Sequence, residues 1–356
     1  MLSRHADACY WIGRYVERAE ATARMVDVHY HAALESMGPS GEVLGDGETD
    51  ESRLMRWQSL LAISGTAEAY YKRYTGEADH DVLQFFAFDR QNPHSILSVW
   101  RSARDNARSI RELIASEMWE SMNVSYLQLL EWNVDRVLAG SPHEFFQMVK
   151  NASHLFQGIL NRTMMMSETR DWLDTGRFLE RAGQTARLLD VKYHDLLPVE
   201  LNSTPDQNGG IVGRAPAPGA QPVPVATNPY GVGGPLDTHG WIAVLRSVSA
   251  FEMYRKTHQG GIRPARVVDF LVLNPQFPAS VRHCVGRVEG CLRRISGNQK
   301  DEPVNEPERM IGRLRADLTY TPPEEIILSG LHEFLQSVQV RCEEIGNSVT
   351  RAYLSY

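Results

Sequence analysis

Apolar residues recur at helical spacing along most of the chain, and the first such stretch covers about residues 5–37. Seven apolar side chains share one arc at intervals of three and four residues: Ile12, Tyr15, Val16, Ala19, Ala23, Val26 and Tyr30. Gly38-Pro39, a pair that ends helices, follows this stretch. The pattern predicts a long amphipathic helix at the start of the chain.

The remainder of the chain is predicted to be helical as well, because alternating strand patterns are scarce. Helices are expected over residues 51–74, 95–119, 125–138, 142–167 and 171–197, and a last one from about 321 to 353. The apolar run at 267–273 is interpreted as helix by analogy with a matching block around Phe85. The hydrophobic pattern therefore predicts an all-α fold.

The first helix has a second copy 163 residues later in the chain. Residues 13–31 and 176–194 share 12 identical residues in 19. Two more blocks repeat in the same order at offsets of 184 and 185, beginning at Trp57/Trp241 and Phe85/Phe270. One repeat of this length indicates an internal duplication packed about a pseudo-two-fold axis. We predict a pseudo-two-fold helical bundle, one bilobal unit over 1–356, with copy one at about 1–168 and copy two at about 169–356.

One segment breaks the repeat. The second copy has 21 extra residues between Tyr193 and Trp241, within a stretch at 199–240 that holds seven of the chain's 18 prolines and eight of its 27 glycines. Such a composition cannot bury a core and predicts a flexible insertion. A polyproline II ligand for a partner's aromatic groove is the functional alternative to a simple linker.

Composition and charge limit the kinds of binding partner and the cellular location that we predict. The net charge of −7 does not favour a broad nucleic-acid surface, so no nucleic-acid partner is predicted. The four cysteines lack C-x-x-C spacing and are expected to be reduced, buried thiols. No apolar run approaches the roughly 20 residues that span a bilayer, and no secretory signal is recognised. We expect no membrane partner and a cytoplasmic location.

The repeated helix also carries an organised charged face. Four of the 12 identical positions lie on this face, within about 80° of one another around the helix axis. They are Gly13, Glu17, Arg24 and Asp27 in the first copy and Gly176, Glu180, Arg187 and Asp190 in the second. A helix that needed only solubility would not have to keep these residues at the same places twice.

Three interpretations of this face remain open. In the first, side chains three residues apart pair along the helix surface. Those pairs are Arg14/Glu17 and Arg24/Asp27. In the second, the two helices cross with their glycines in close approach, and each glutamate receives arginines from the other copy. In the third, the face forms a basin that binds an anionic or carboxylate-bearing ligand through bidentate arginine contacts. Its candidate ligand-binding residues are Arg14, Arg18, Arg24, Arg177, Arg181 and Arg187.

A second candidate binding surface occurs in the first half only. Arg104, Arg108 and Arg111 are spaced i, i+4, i+7 along one predicted helix face. The polar and aromatic residues that follow at its end are Glu117, Trp119, Glu120 and Asn123. Because the second half keeps only one of the three arginines, the row is not needed for the shared fold. A solvated arginine stripe is the alternative.

Metal and cofactor chemistry are not predicted. His29 and His31 diverge by about 200° on a helix, so they are not expected to share a metal. The chain has no paired metal motif, P-loop, nucleophile elbow or dinucleotide fingerprint.

Several segments carry a family resemblance. They are M-L-S-R at 1–4, Y-W-I-G-R-Y-V-E-R-A-E at 10–20, T-G-R-F-L-E-R-A at 175–182, R-D-N-A-R-S-I-R at 104–111 and W-E-S-M-N at 119–123. With these motifs the chain resembles the bacterial alpha-E domain family along nearly its whole length. The resemblance implies an all-α protein encoded beside, or fused to, a circularly permuted ATP-grasp protein, and often beside a transglutaminase-like cysteine peptidase. Such neighbourhoods look like amide-bond-forming peptide modification systems.

Three functions follow as hypotheses. The first is an accessory module that presents a peptide or amino acid to an ATP-grasp amide ligase through the Arg/Glu basin. The second is an enzyme in which Glu17 or Glu180 acts as general acid or base. The third is a purely structural interaction protein. Binding is favoured over catalysis because neighbouring arginines lower the pKa of a carboxylate and weaken it as a base. An enzyme also needs a carboxylate that can be reached from a cleft.

Overall fold

The computed structural model describes residues 1–35, 57–196 apart from 59, 62, 63 and 77, and 235–355 apart from 301. Within these residues the regular structure is helical and no strand occurs, so the predicted all-α class is confirmed. Within the same ranges, no helix is both long and apolar enough to cross a membrane. The predicted insertion at 199–240 lies outside the described residues as far as 234, and its last six residues belong to a helix.

Long helices dominate the first half. Its elements are α1 (Ser3–Glu35), α2 (Ala67–Tyr71), α3 (Asp79–Leu83), the π-helix π1 (Gln84–Phe88), α4 (Ile96–Ser109), α5 (Ser116–Leu130), α6 (Val134–Ala139) and α7 (Pro142–Thr163).

The second half follows a similar order. Its elements are α8 (Glu168–Leu196), α9 (Pro235–Ser247), α10 (Phe251–Thr257), α11 (Pro264–Val268), the π-helix π2 (Asp269–Leu273), α12 (Val281–Ser296), α13 (Glu306–Tyr320), α14 (Pro323–Ser329), α15 (Leu331–Val349) and the π-helix π3 (Thr350–Leu354).

Local details agree between the halves. In each, a short helix runs directly into a π-helix, as α3 into π1 and α11 into π2. The next long helix in each begins at a serine N-cap: Ser95 Oγ accepts from the backbone N–H of Ser98 at 3.2 Å, and Ser280 Oγ accepts from that of His283 at 3.1 Å. An internal duplication would produce this parallel.

Four predicted helices are divided in the structure. The helix expected over 95–119 ends at Ser109, and a new one begins at Ser116. Ile110, Ile114 and Met118 are all buried across this break. Their four-residue spacing therefore mimics one continuous helix, so the hydrophobic pattern could not reveal the turn. The helix expected over 125–138 is likewise split between α5 and α6.

The helix expected from 321 to 353 is interrupted at Gly330. This glycine has φ = 108° and separates α14 from α15. Only glycine adopts this conformation without strain, so the chain stops and restarts its helix there. The predicted helix over 51–74 is also broken, by a turn at Gly65 with φ = 65°, and its first six residues lie outside the described ranges.

The centre of the fold is the contact between α1 and α8. Gly13 and Gly176 lie where the two helices touch. A Cβ atom on Gly13 would overlap the carbonyl oxygen of Leu173, and one on Gly176 would overlap that of Tyr10. Glycine is therefore required at both positions by backbone approach. Large fully buried side chains, among them Trp100 and Trp172, complete the core around this crossing.

Candidate functional site

The helix crossing brings each repeated glutamate against arginines of the other helix. Glu17 accepts two hydrogen bonds from Arg181, at 2.6 Å from Nε and 2.7 Å from Nη2. Glu180 accepts from Nε and Nη2 of Arg18 at 2.7 and 2.9 Å. The glutamate of each helix thus binds the arginine that follows the other glutamate in sequence. This is the arrangement of the second interpretation, and the glycine contact explains how the side chains come within reach.

Glu180 accepts more hydrogen bonds than Glu17. It also accepts from Arg14 Nε at 2.7 Å and from Gln184 Nε2 at 3.0 Å. Its side chain is only 3% exposed, and burial opposes ionisation, yet the two arginines outweigh burial and hold the pKa of Glu180 far below its usual range. Glu180 is therefore a fixed anion whose charge is already neutralised.

Glu17 lacks the second arginine. Arg177, the copy of Arg14, pairs with the buried Asp174 at 2.7 Å instead. Burial raises the pKa of Glu17, and Arg181 opposes that shift. The two candidate acid/base residues therefore differ, and Glu17 is the one whose environment favours the protonated form more.

Glu20 lies one turn after Glu17 and adds a second carboxylate to this side of the crossing. It accepts from Arg24 Nε and Nη2 at 3.0 and 2.7 Å and from Gln157 Nε2 at 3.2 Å. Burial opposes its ionisation, but His154 and Arg24 outweigh burial and lower the pKa of Glu20 to about 2. Glu17 and Glu20 are thus adjacent carboxylates with pKa values shifted in opposite directions.

A cavity opens beside Glu17 and Glu20, and we call it the Glu17 cleft. Its volume is about 260 Å³. The polar residues that line it are Glu17, Glu20, Arg24, His154, Gln157, Arg181, Gln184, Thr185, Ser247 and Ser249. Apolar lining comes from Ala21, Met25, Leu188, Val248, Phe277, Pro278 and Ala279.

A second cavity, the Glu180 cleft, lies beside Glu180 and has a volume of about 400 Å³. Its charged and ionisable lining consists of Arg14, Arg18, His94, Glu180, Arg187, Cys342 and Glu343. Three arginines thus face two glutamates. The two clefts share Met25 and Gln184 in their walls, so they are neighbours on the crossing.

A family model described as a predicted alpha-helical domain with a conserved ER motif matches residues 1–354. The chain belongs to this Alpha-E family. No curated protein and no solved structure matches the chain. The resemblance seen in the sequence is therefore confirmed over essentially the whole chain.

Two Glu-Arg dipeptides of this Alpha-E chain meet at the crossing. Glu17-Arg18 and Glu180-Arg181 exchange their side chains reciprocally, as the distances above show. A further Glu-Arg dipeptide, Glu308-Arg309, lies on α13 and lines neither cleft. The helix crossing thus gives the Glu-Arg pair a direct structural purpose, which is to join the two longest helices.

The candidate arginines differ in how much hydrogen-bonding capacity remains. Arg24 makes four short hydrogen bonds: besides two to Glu20, it contacts Ser249 Oγ at 2.6 Å and His154 Nε2 at 2.9 Å. Among the described residues, Arg187, its copy, makes only long contacts, 3.4 Å to Gln339 and 3.5 Å to Glu343, and its side chain is 29% exposed. Arg187 therefore has donors to offer in the Glu180 cleft.

Two other ionisable groups line the Glu180 cleft. His94 Nδ1 lies 3.1 Å from Arg18 Nη1, and burial together with Arg18 lowers the pKa of His94. A neutral His94 accepts this hydrogen bond. Burial raises the pKa of Cys342 to about 12, which disfavours the thiolate that nucleophilic chemistry needs. All four cysteines are buried and free.

Some sequence interpretations of the charged face are wrong. Arg14 and Arg24 do not pair with Glu17 and Asp27 along the helix, because both bind other carboxylates. Asp27 instead lies 2.7 Å from Lys150 Nζ on α7. Arg177 is buried against Asp174 and lines neither cleft. The i,i+3 spacing could not show this, because it does not distinguish between several carboxylates within reach: Arg24 binds Glu20 on its own helix, whereas Arg14 binds Glu180 from the other copy.

The first-half arginine row is not one helix face. Arg111 lies beyond the end of α4, whereas Trp119 and Asn123 belong to α5. Even so, Arg104 donates to Asn123 at 2.8 Å, and the guanidinium carbons of Arg104 and Arg111 lie 5.6 and 5.0 Å from the Trp119 ring.

The remaining members of this predicted surface do not join that cluster. Arg108, Glu117 and Glu120 are exposed. None of the seven residues of this predicted surface lines either cleft. The surface is separate from the helix crossing.

Residues that sequence reasoning missed are decisive in both clefts. His94, His154, Gln157 and Ser249 line them without carrying a repeated motif. The repeat does offer one signal, since Ser249 corresponds to Gly65 at the offset of 184, and both have a positive φ, 53° and 65°. Across the described residues, no group of three or more His, Cys, Asp or Glu side chains could hold a metal ion.

Proposed function

We propose that this Alpha-E chain is a binding module that holds a carboxylate-bearing ligand, an amino acid or peptide, in the Glu180 cleft. It presents that ligand to a partner enzyme. The observation that carries the proposal is the unsaturated guanidinium of Arg187 beside a 400 Å³ cavity. Guanidinium groups bind carboxylates through paired, charge-assisted hydrogen bonds, so such a donor at a cavity wall favours an anionic group.

Electrostatics support a carboxylate in this cleft. Glu180 is neutralised by Arg14 and Arg18, so the one ion pair that Arg187 makes within the described part of the chain is with Glu343, whose side chain is 65% exposed. A carboxylate that displaces this long contact gains a partly buried partner without uncovering a buried charge. Ser64, Thr66 and Asn92 also line this cleft and are held by internal hydrogen bonds, Ser64 to Thr66 at 2.5 Å and Asn92 Nδ2 to the carbonyl oxygen of Phe85 at 2.9 Å.

Paired probes test the binding site. N-acetyl-Ala-Ala is compared with its C-terminal amide by isothermal titration calorimetry. The free carboxylate is expected to bind about tenfold more tightly than the amide, and Arg187→Ala should remove this preference. Arg24→Ala, the matched change in the other copy, should keep it. Equal binding of acid and amide by the wild-type protein would refute the proposal.

The partner component of the proposal comes from the family resemblance. A circularly permuted ATP-grasp protein would activate a carboxylate for amide-bond formation, and a transglutaminase-like peptidase would act on the same peptide. Affinity purification of the tagged chain from its native host tests this association. Recovery of an ATP-grasp protein supports the accessory role, whereas a chain recovered without one favours a free-standing binder.

An enzyme is a second candidate function, and Glu17 is the observation that favours it. Glu17 lines a cleft, and burial raises its pKa, which suits a general acid or base. Glu180 fits that role poorly because its pKa is held low. Glu17→Gln in a mixture reconstituted with the ATP-grasp partner tests this alternative. Loss of amide formation with ligand binding intact would support catalysis.

A further inference from the structure

The Glu17 cleft has the opposite hydrogen-bonding character to the Glu180 cleft. Its two arginines bind carboxylates, Arg181 through Nε and Nη2 to Glu17 and Arg24 through Nε and Nη2 to Glu20. The third arginine nitrogen of Arg181, Nη1, lies 3.5 Å from the carbonyl oxygen of Pro278. Several acceptors remain in this cleft, so it suits a ligand that brings donors.

The two glutamine side chains show this most clearly. Gln157 donates its amide nitrogen to Glu20, and Gln184 donates its amide nitrogen to Glu180. A carboxylate can only accept, so these contacts fix the orientation of both amides. Their carbonyl oxygens accept no hydrogen bond among the described residues, and both side chains line the Glu17 cleft.

Glu20 adds an ionised acceptor, whose charge Arg24 partly offsets through Oε1. Its Oε1 atom accepts from Arg24 and lies 3.3 Å from His154 Nε2, whereas among the described residues its Oε2 atom receives one hydrogen bond, at 3.2 Å from Gln157. Because the pKa of Glu20 is lowered to about 2, this oxygen belongs to a carboxylate at neutral pH. An ionised oxygen beside an amide carbonyl is a suitable pair of acceptors for an ammonium group.

Met25 and Gln184 belong to the linings of both clefts, so these two side chains lie where the clefts adjoin. Ala21, Leu188 and Phe277 add apolar surface to the Glu17 cleft. A ligand that spans both clefts would therefore contact the side chains of Met25 and Gln184.

We propose that the Glu17 cleft is a subsite for a primary ammonium group, next to the carboxylate subsite of the Glu180 cleft. A linear ligand with an ammonium at one end and a carboxylate at the other, such as a short peptide with free termini, lies across both clefts. The ammonium subsite stands on its own contacts, whereas the two-ended ligand rests on the proposed function.

Calorimetry with simple probes separates the two ends. The probes are ω-amino carboxylates of four to eight carbons, the carboxylates of the same lengths and hexylamine, each titrated into the full chain. At the matching length, the amino group is expected to tighten binding about tenfold over the plain carboxylate. Hexylamine alone is expected to bind weakly and to compete with the ω-amino carboxylate.

Gln157→Lys is the decisive variant, because it places the protein's own ammonium beside Glu20. It should abolish the gain from the amino group while leaving the affinity for the plain carboxylate within about twofold. Gln128→Lys is the matched control: it adds the same charge at an exposed glutamine that lines neither cleft, and it should keep the full gain. Glu20→Gln, checked for native helicity by circular dichroism, should also reduce the gain.

Each pattern of results has a distinct meaning. If the plain carboxylate binds and the amino group adds nothing, the ammonium subsite is refuted and the proposed function survives. A gain that persists in Gln157→Lys also refutes the subsite. If hexylamine binds in a manner that depends on Gln157 but no carboxylate binds, the subsite is supported and the proposed function fails.

Discussion

The Glu17 and Glu180 clefts occupy neighbouring places on one helix crossing, and equivalent residues line them. Glu17 corresponds to Glu180 and Arg24 to Arg187, yet the hydrogen bonds differ. In the Glu180 cleft, Arg14 and Arg18 neutralise the glutamate and Arg187 has donors to spare. In the Glu17 cleft, Glu20 takes up Arg24 and acceptors remain. Two similar helices can therefore form one site rich in donors and one rich in acceptors when the residues around the shared glutamate and arginine differ.

The largest loss of stability is expected from substitutions at the helix crossing that both clefts share. Gly13→Ala and Gly176→Ala should each destabilise the protein by more than about 3 kcal/mol, because the new Cβ overlaps backbone that cannot move aside. Urea unfolding measures this. Gly158→Ala on α7 is the control, since a Cβ there meets nothing within 4 Å and should be neutral or stabilise by up to about 1 kcal/mol. Similar stability of all three variants would contradict the close approach.

The next largest expected effect is a difference in stability between variants of the two glutamates. Glu180→Gln leaves Arg14 and Arg18 without their carboxylate and should cost about 3 kcal/mol at neutral pH. Glu17→Gln should cost less, because only Arg181 loses a partner and burial already disfavours the ionised Glu17. Urea unfolding of both variants under the same conditions tests the order. A larger loss for Glu17→Gln would reverse the comparison.

The same two variants should respond to pH with opposite slopes. The folded-state pKa of Glu180 lies below its ordinary value, so its contribution is present above about pH 4.5 and lost as pH falls toward the lowered pKa. The cost of Glu180→Gln should therefore grow as pH rises. The folded-state pKa of Glu17 is raised, so its contribution is present at low pH and lost as pH rises through that pKa. The cost of Glu17→Gln should shrink in that direction; parallel slopes between pH 3 and 8 would disprove the difference.

The smallest expected effect concerns the turns that border the clefts. Gly65 and Ser249 have similar positive φ values, and Ser249 also accepts from Arg24 at 2.6 Å. Gly65→Ala should cost about 1 kcal/mol through left-handed strain. Ser249→Gly should stay within about 0.5 kcal/mol, since relief of strain offsets the lost hydrogen bond. Thermal unfolding compares them, and a marked stabilisation by Gly65→Ala would rule out the turn geometry.

Much of the fold could be predicted because helical periodicity and repeated motifs are local features of the sequence. The amphipathic arc of α1 and the repeat of residues 13–31 at 176–194 predicted the two long helices, which the structure places at Ser3–Glu35 and Glu168–Leu196. The breaks at Ile110 and Gly330 were missed for different reasons. Buried isoleucines keep helical spacing across the first, and a single glycine is a weak signal for the second.

The candidate site was only partly predictable. The crossing of Glu17 and Glu180 with arginines of the other copy was among the open interpretations, since identical charged residues in two copies favour a common contact. The residues that line the clefts could not be predicted from the sequence. His154 and Gln157 come from α7, and Ser249 follows α9, so their approach to Glu20 and Arg24 depends on how distant helices pack.

By itself the sequence determined the helical class, the two matching halves and the family, because periodicity and repeated motifs are properties of the chain alone. Only the tertiary structure decided that Arg14 binds Glu180 whereas its copy Arg177 binds Asp174. It also decided that Arg187 makes long contacts whereas Arg24 makes four short hydrogen bonds. The physical reason is that a charged side chain takes the best partner within a few ångströms. Sequence spacing on one helix cannot show which groups the neighbouring helices bring there.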